Sequence, residues 1–285
     1  MIYFCADDYG ISKSSNDRIE NCLKNGALNK ISVLPNGETL DFKQRLSGNN
    51  VKLSLHINLV EGRPLSAPND VNLLLSDSGC FKYSFVGLFF HTLFGKRKEL
   101  KKQLYKEIKE QIDFWKKSIG DDTQIFIDSH QHTHMIPLIF KTLVQVIKDE
   151  NLNVLSVRIP SEPISPYILT PSLYTAYSIT GIIKQWLLKF LALVNRREIE
   201  KSKIDFTYFM GVMFSGQLTE EKIKKLLPRY LKIAEKHGRD IEIAFHPGYI
   251  KSDECLIDGN RTGFRKFYFS PWRKREYDTL INFKF

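Results

Sequence analysis

The chain has 285 residues, of which 42% are hydrophobic and 26% charged, and its formal net charge is +10. That length and balance suit a globular protein with a large core and exclude a disordered, fibrous or small disulfide-stapled chain. Its four cysteines, Cys5, Cys22, Cys80 and Cys255, are far apart and form no Cys-x-x-Cys pair, which speaks against a thiolate zinc site or a disulfide framework.

The chain opens directly on an apolar segment, Ile2-Tyr3-Phe4-Cys5-Ala6. No basic region followed by a hydrophobic stretch precedes it, so no secretory signal is expected and the cytoplasm is the expected compartment. Short apolar, β-branched runs predict strands over 2–6, 31–35, 51–56, 124–128, 153–158, 206–210 and 241–246. Helical spacing covers 16–25, 98–118, 137–149 and 219–237. The last helix starts at Thr219, carries Glu220 and Glu221 in its first turn, and stops near His237-Gly238, in keeping with capping and dipole preferences. Strands alternating with helices imply βα units and a largely parallel sheet. A complete or incomplete (β/α) barrel is the first reading, and an open doubly wound sheet is the alternative. One domain over 1–285 is expected, interrupted around 81–97 and 164–204.

Lysines concentrate in 96–117 and 221–236, where helical spacing makes them solvated helix faces. The same charge would suit an anionic partner such as phospholipid or a phosphorylated sugar. No motif with interleaved aromatics points to nucleic acid, so none is expected as a partner. Phe81 to Phe94 is rich in aromatics and leads into Lys96-Arg97-Lys98. Ile182 to Val194 is nearly all apolar, broken by Lys184 and Lys189 and followed by Arg196-Arg197. It is too short and too broken to span a bilayer, which takes about 20 apolar residues. It fits a peripheral membrane-surface helix, a lid, a homodimer contact or a core helix.

Four motifs end predicted strands: Ala6-Asp7-Asp8-Tyr9-Gly10, Leu55-His56-Ile57-Asn58-Leu59, Asp128-Ser129-His130-Gln131-His132-Thr133-His134 and Phe245-His246-Pro247-Gly248. Taken singly, each has a structural explanation. Paired aspartates cap turns, a lone His56 between Leu55 and Ile57 is a core histidine, and His246 before Pro-Gly closes a turn. In a parallel barrel, however, all strand C-termini open on one face, so these groups would meet at one mouth. A carboxylate with two imidazoles is a common divalent-metal set that leaves positions for water. Two adjacent aspartates can divide the labour, one on the metal and the other as base. His132 is expected to point differently from His130 and His134 and to be structural.

Taken in order, and with the segment Ser270-Pro271-Trp272-Arg273 to Glu276-Tyr277-Asp278-Thr279-Leu280, these motifs resemble those of the YdjC-like carbohydrate deacetylases, which include chito-oligosaccharide deacetylase. The resemblance covers nearly the whole chain. It implies a deformed (β/α) barrel related to the polysaccharide deacetylases. It also implies one divalent metal, Mg2+ by family, and hydrolysis of acetyl groups from acetylated, chiefly N-acetylamino, sugars or oligosaccharides. Carried over by residue, it makes Asp8, His56 and His130 the metal ligands and Asp7 the general base. His246 becomes the general acid or an oxyanion-side group, and Arg158 holds the base or the substrate. His134 could replace His130 or complete the site, because related deacetylases use histidines four residues apart. Two histidines with one carboxylate would also suit Zn2+. The stretches 81–94 and 164–204 are less typical of the soluble oligosaccharide enzymes and are similar to branches acting on lipid-linked or envelope glycans. The rival readings are a metal-dependent phosphoesterase or amidohydrolase of another barrel family, and a non-catalytic glycan- or membrane-associated binding protein.

Overall fold

The computed structural model describes residues 1–37, 42–46, 50–120, 124–249 and 267–284. All seven expected strands are present: β1 (Ile2–Tyr9), β2 (Lys30–Val33), β3 (Lys52–Ile57), β4 (Ile125–Ser129), β5 (Val154–Val157), β6 (Tyr208–Met210) and β7 (Ile241–Phe245). They form one parallel sheet in the order β5-β4-β3-β2-β1-β7-β6. Around it lie α1 (Lys13–Asn25), α2 (Phe42–Leu46), α3 (Phe85–Phe94), α4 (Arg97–Ile119), α5 (Pro137–Asp149), α6 (Ser165–Ile168), α7 (Ile179–Ser202), α8 (Glu220–His237) and α9 (Pro271–Asn282). The expected helices correspond to α1, α4, α5 and α8. Helix α1 begins earlier than its apolar spacing suggests because Ser12 caps it, accepting from the Ser15 N–H. Helices α3 and α7 fill the two stretches that interrupt the alternation.

The strands are largely buried, and β2 and β3 alternate apolar Ile31, Val33 and Leu55 with polar Lys30, Ser32, Ser54 and His56, which meet the buried Glu242 and Asp128. On α4, Leu100, Leu104, Ile108, Ile112 and Trp115 form a buried stripe at helical spacing. Its lysines occupy the opposite, wetter face, as expected. Among the described cysteines, Cys5, Cys22 and Cys80 are free thiols, while Cys255 lies outside the described residues. No helix among the described residues is long and apolar enough to cross a membrane.

The sheet is a curled half-barrel rather than an open doubly wound sheet. Arg158 follows β5 directly, and β5 is separated from β1 by β4, β3 and β2. In a flat sheet that separation is about 19 Å at ~4.8 Å per strand, longer than an arginine side chain. Yet Arg158 Nη1 lies 2.7 Å from Asp7 Oδ2 of β1, and its Nε donates to Glu242 Oε1 of β7 at 2.8 Å. Its Nη2 is also 3.0 Å from Asp128 Oδ2 of β4. The guanidinium thus sits inside the curl, fully buried, with three carboxylates around it. Lys30 of β2 lies beside the same group, its Nζ 3.0 Å from Glu242 Oε2. A buried ion pair stripped of one partner leaves uncompensated charge in a low-dielectric interior. Arg158→Met is therefore expected to lower unfolding stability by about 3–5 kcal/mol, read from the urea midpoint. A change below 1 kcal/mol would mean that the guanidinium does not hold the curl.

Candidate active site

The site is built at the C-terminal ends of the strands. In a regular strand Asp7 and Asp8 would point to opposite faces. Here β1 pairs Ala6 with Ile31 and Tyr9 with Val33, so that two residues of β1 oppose one of β2. Asp8 takes a left-handed backbone conformation at φ +69°, one that aspartate tolerates better than most side chains. This bulge turns both carboxylates into the curl. Asp7 meets Arg158, and Asp8 Oδ1 lies 2.8 Å from His130 Nδ1 and 3.7 Å from His56 Nε2. Both aspartates are almost fully buried.

His56 sits opposite Asp128 in the β3/β4 register. Its Nδ1 donates to Asp128 Oδ1 at 2.5 Å, which aims Nε2 at Asp8. The second oxygen of Asp128 accepts from Ser32 and Ser54. His130 lies one residue beyond the last β3/β4 rung. Its Nε2 is 3.1 Å from Glu61 Oε1, and Tyr268 donates to the other Glu61 oxygen at 2.8 Å. Glu61 is brought over the mouth by a tight turn in which Asn58 Oδ1 accepts from the Val60 and Glu61 N–H groups. Each histidine therefore has a carboxylate on its outer nitrogen, an arrangement that orients ligating imidazoles and raises their basicity. Asp8 Oδ2 is held in turn by Arg273 of α9 at 3.0 Å.

Asp8, His56 and His130 each present one ligand atom, all within 4.8 Å of one another. Two further groupings, Asp7-His56-Asp128 and Cys5-Asp128-Glu242, are as compact. The Arg158 guanidinium, however, already contacts Asp7, Asp128, Glu242 and Cys5. Of the three groups, only the first is clear of that cation. The network joined by these contacts holds five buried carboxylates (Asp7, Asp8, Glu61, Asp128, Glu242) against three basic side chains (Lys30, Arg158, Arg273). Two negative charges remain, and a divalent cation among Asp8, His56 and His130 would balance them.

Protonation follows the same balance. Burial opposes charge on Asp8, but His130, His56 and Arg273 outweigh it and hold the carboxyl well below its ordinary range. Burial likewise works against Asp7, and Arg158 outweighs it, so the carboxyl is lowered. For His56, burial disfavours the imidazolium, yet Asp128 pushes it up to about 9. For His130, Glu61 and Asp8 overcome burial and push it up to about 10. These two histidines take up protons when no other cation is present.

The other two histidines of the cluster are neutral. Gln131 and His132 both adopt positive φ, which folds the segment into a tight turn. His134 is thereby directed inward, where its Nε2 donates to the Arg158 carbonyl at 2.7 Å and Nδ1 faces the Ser129 hydroxyl. Burial lowers it to about 4. Both of its nitrogens are engaged, and it buttresses the backbone of Arg158. His132 stands edge-on to Phe209, and burial together with Arg158 keeps it neutral.

Strand β1 pairs Ala6 with Phe245 of β7, and Asp7 and His246 are the next residues along. The His246 N–H donates to Glu276 Oε2 of α9 at 2.6 Å. Its ring Nδ1 is 3.7 Å from the same oxygen and has no hydrogen-bond partner among the described residues. Its side chain is 17% exposed, against 5% or less for Asp8, His56 and His130. His246 is thus the site group most open to an incoming molecule. The structure adds Glu61, Asp128, Tyr268, Arg273 and Glu276 to the groups expected from sequence. Asp128 directly precedes the histidine cluster, and Ser270-Pro271 is a helix-start signal for the segment bearing Arg273 and Glu276. Glu61 and Tyr268 carry no comparable signal.

Several known proteins are similar to this chain. The chain is 31% identical over 194 residues to a carbohydrate deacetylase of Thermoanaerobacter pseudethanolicus, an alignment spanning 65% of this chain and 73% of that protein. It is 28% identical over 164 residues to a carbohydrate deacetylase of Danio rerio, spanning 55% of this chain and 49% of that one. A crystal structure of an Enterococcus faecalis V583 protein, assigned provisionally to cellobiose-phosphate cleavage, superposes with a TM-score of 0.67. It covers 99% of this chain and 90% of its own at 19% identity, a likeness of fold. The family described as YdjC-like protein matches residues 1–285, and the chain belongs to that family.

Proposed function

We propose that this protein is a carbohydrate deacetylase that hydrolyses the acetyl amide of an N-acetylated sugar with one divalent cation bound. The observation that carries the reading is the pairing of an Arg158-clamped Asp7 with the open cluster Asp8-His56-His130 one residue away. The names of the related deacetylases agree with it. A cation held by Asp8, His56 and His130 would supply a Lewis acid for the acetyl carbonyl. Two imidazoles with one carboxylate suit a borderline ion such as Zn2+ at least as well as Mg2+.

Asp7 is ionised, fixed by two bonds from Arg158, and takes the proton of the attacking water. His246, beside it just past the end of β7, gives a proton to the departing amine, which leaves poorly as an anion. The Glu276 carboxylate lies 3.7 Å from its ring Nδ1 and accepts from its backbone N–H, which fixes the position of the residue. His134 and Arg273 are positioning residues, the first behind Arg158 and the second behind Asp8. A two-metal phosphoesterase would need a second free cluster, and among the described residues Arg158 occupies both alternatives.

Acetate release from N-acetylated oligosaccharides, with added ions and with chelator, tests the reading directly. Activity should vanish with chelator and return with a single ion per chain. Absence of acetate from every acetylated sugar would end it. Asp7→Asn should cut turnover by about 10²–10⁴-fold while calorimetry still records one ion. His246→Gln should slow amide substrates far more than an acetyl ester with a good leaving group, because only the amine needs the proton. Equal losses on both would remove His246 as the acid.

The protonated histidines predict the behaviour of the ion-free protein. A group whose folded pKa is raised stabilises fully below its unfolded value, about 6.5 for histidine, and that stabilisation fades as pH rises through the folded values. With His56 at about 9 and His130 at about 10, the chelated protein should lose urea stability between neutral pH and pH 10. Ion affinity should rise over the same window as the competing protons leave. A urea midpoint that stays flat across it would contradict this account.

A further inference from the structure

Helix α7 is apolar on its exposed face as well as on its buried one. Its buried stripe is Gly181, Gln185, Leu188, Leu191 and Asn195, in which Gln185 donates to the Glu162 carbonyl and Asn195 to the Met135 carbonyl. Its outward stripe is apolar. Ile179, Ile183, Trp186, Phe190 and Leu193 recur at alternating spacings of four and three, at 77%, 61%, 58%, 57% and 62% exposure. A helix packed on a soluble core usually carries charged and polar residues on that outward face. Helix α3 repeats the feature in one further patch, with Val86, Phe90 and Phe94 one turn apart at 56%, 52% and 82% exposure. Scattered apolar residues on a surface are ordinary, but periodic faces of this size mark an interaction site.

Position and charge indicate what covers them. Both helices pack against the turn His130–Met135, which carries a residue of the candidate metal site. Both helices therefore lie beside the mouth, each with an exposed apolar face. Exposed cations frame both faces: Lys96, Arg97 and Lys98 follow α3, and Arg196 and Arg197 end the apolar run of α7. Lys189 lies within that run, its ammonium 5.8 Å from the Trp186 ring centre, and a side chain of this length can reach outward from an apolar layer. An isologous contact with a second copy would set the same cations against each other on a chain of net charge +10. No helix among the described residues can cross a bilayer, so the faces suit lying on one.

We propose that α3 and α7 form a docking surface for an anionic phospholipid bilayer, holding the barrel mouth at the membrane so that its substrate is the acetylated sugar headgroup of a lipid. The docking stands apart from the chemistry, whereas the substrate class rests on the deacetylase reading above. The test is flotation of the full chain with vesicles of phosphatidylglycerol and phosphatidylcholine, and with phosphatidylcholine alone. Binding is expected to anionic vesicles, to weaken with salt, and to be accompanied by a blue shift of tryptophan fluorescence. The double substitution Trp186→Glu/Phe190→Glu should reduce partitioning by more than about tenfold, as burial of apolar area and anionic attraction set such binding. The triple reversal Lys96→Glu/Arg97→Glu/Lys98→Glu should weaken binding while leaving the apolar faces intact. Acetate release from a water-soluble N-acetylated oligosaccharide should be unchanged in both variants, and release from an N-acetylated glycolipid in vesicles should fall. A wild-type chain that stays unbound with every vesicle overturns the proposal. So does a dimer, seen by light scattering and abolished by the double substitution, without vesicle binding. Vesicle binding without acetate release from any substrate would retain the docking surface and reject the deacetylase reading alone.

Discussion

Arg158 donates to Asp7 on β1 and Glu242 on β7, and lies beside Asp128 on β4, although it follows the edge strand β5. Strands that are distant neighbours in the sheet can share one guanidinium only if the sheet rolls up around it. The planar fork of arginine suits this role, since it offers five donors at fixed angles and remains charged when buried. Once the curl is set, the strand ends face one another and the motifs of β1, β3, β4 and β7 are brought to one mouth. The same contact holds Asp7 ionised and in place. Fold and chemistry thus depend on one cation.

Around it, the interior carries more acid than base. Lys30, Arg158 and Arg273 answer five carboxylates, and His56 and His130 take up protons in response. The charge that is left lies where Asp8 and the two histidines converge. Local backbone irregularity makes the convergence possible. The β1 bulge turns two adjacent aspartates to the same side, and the left-handed turn at Gln131-His132 separates the directions of His130 and His134. Regular strand geometry would have put half of these groups on the wrong face.

Much of this was readable in the chain itself. The seven short stretches rich in apolar, β-branched residues predict the seven strands, even where Lys30, Ser54, His56 or Glu242 interrupts them to meet the buried charges. The Asp-Asp pair, His56, the histidine cluster and His246 end strands, and strand ends share one face in a parallel barrel. The run Ile182 to Val194 fits a membrane-surface helix, a lid, a dimer contact or a core helix equally, because an apolar run does not reveal which of its faces is covered. Only packing shows that Gln185, Leu188, Leu191 and Asn195 are on the buried side and Trp186 and Phe190 on the open one.

The sequence alone determined which local units form and which reactive side chains stand at their ends, since both follow from short-range pattern. The tertiary structure decided the pairings. Glu61 and Tyr268, separated by 207 residues, meet over His130. Arg273 reaches Asp8 across 265 residues. The cluster at His130 supplies one inward ligand candidate, while His134 has both nitrogens engaged by Ser129 and the Arg158 carbonyl. Contacts of that range depend on the curl of the sheet and on a charge balance summed over the whole interior, neither of which has a local signature.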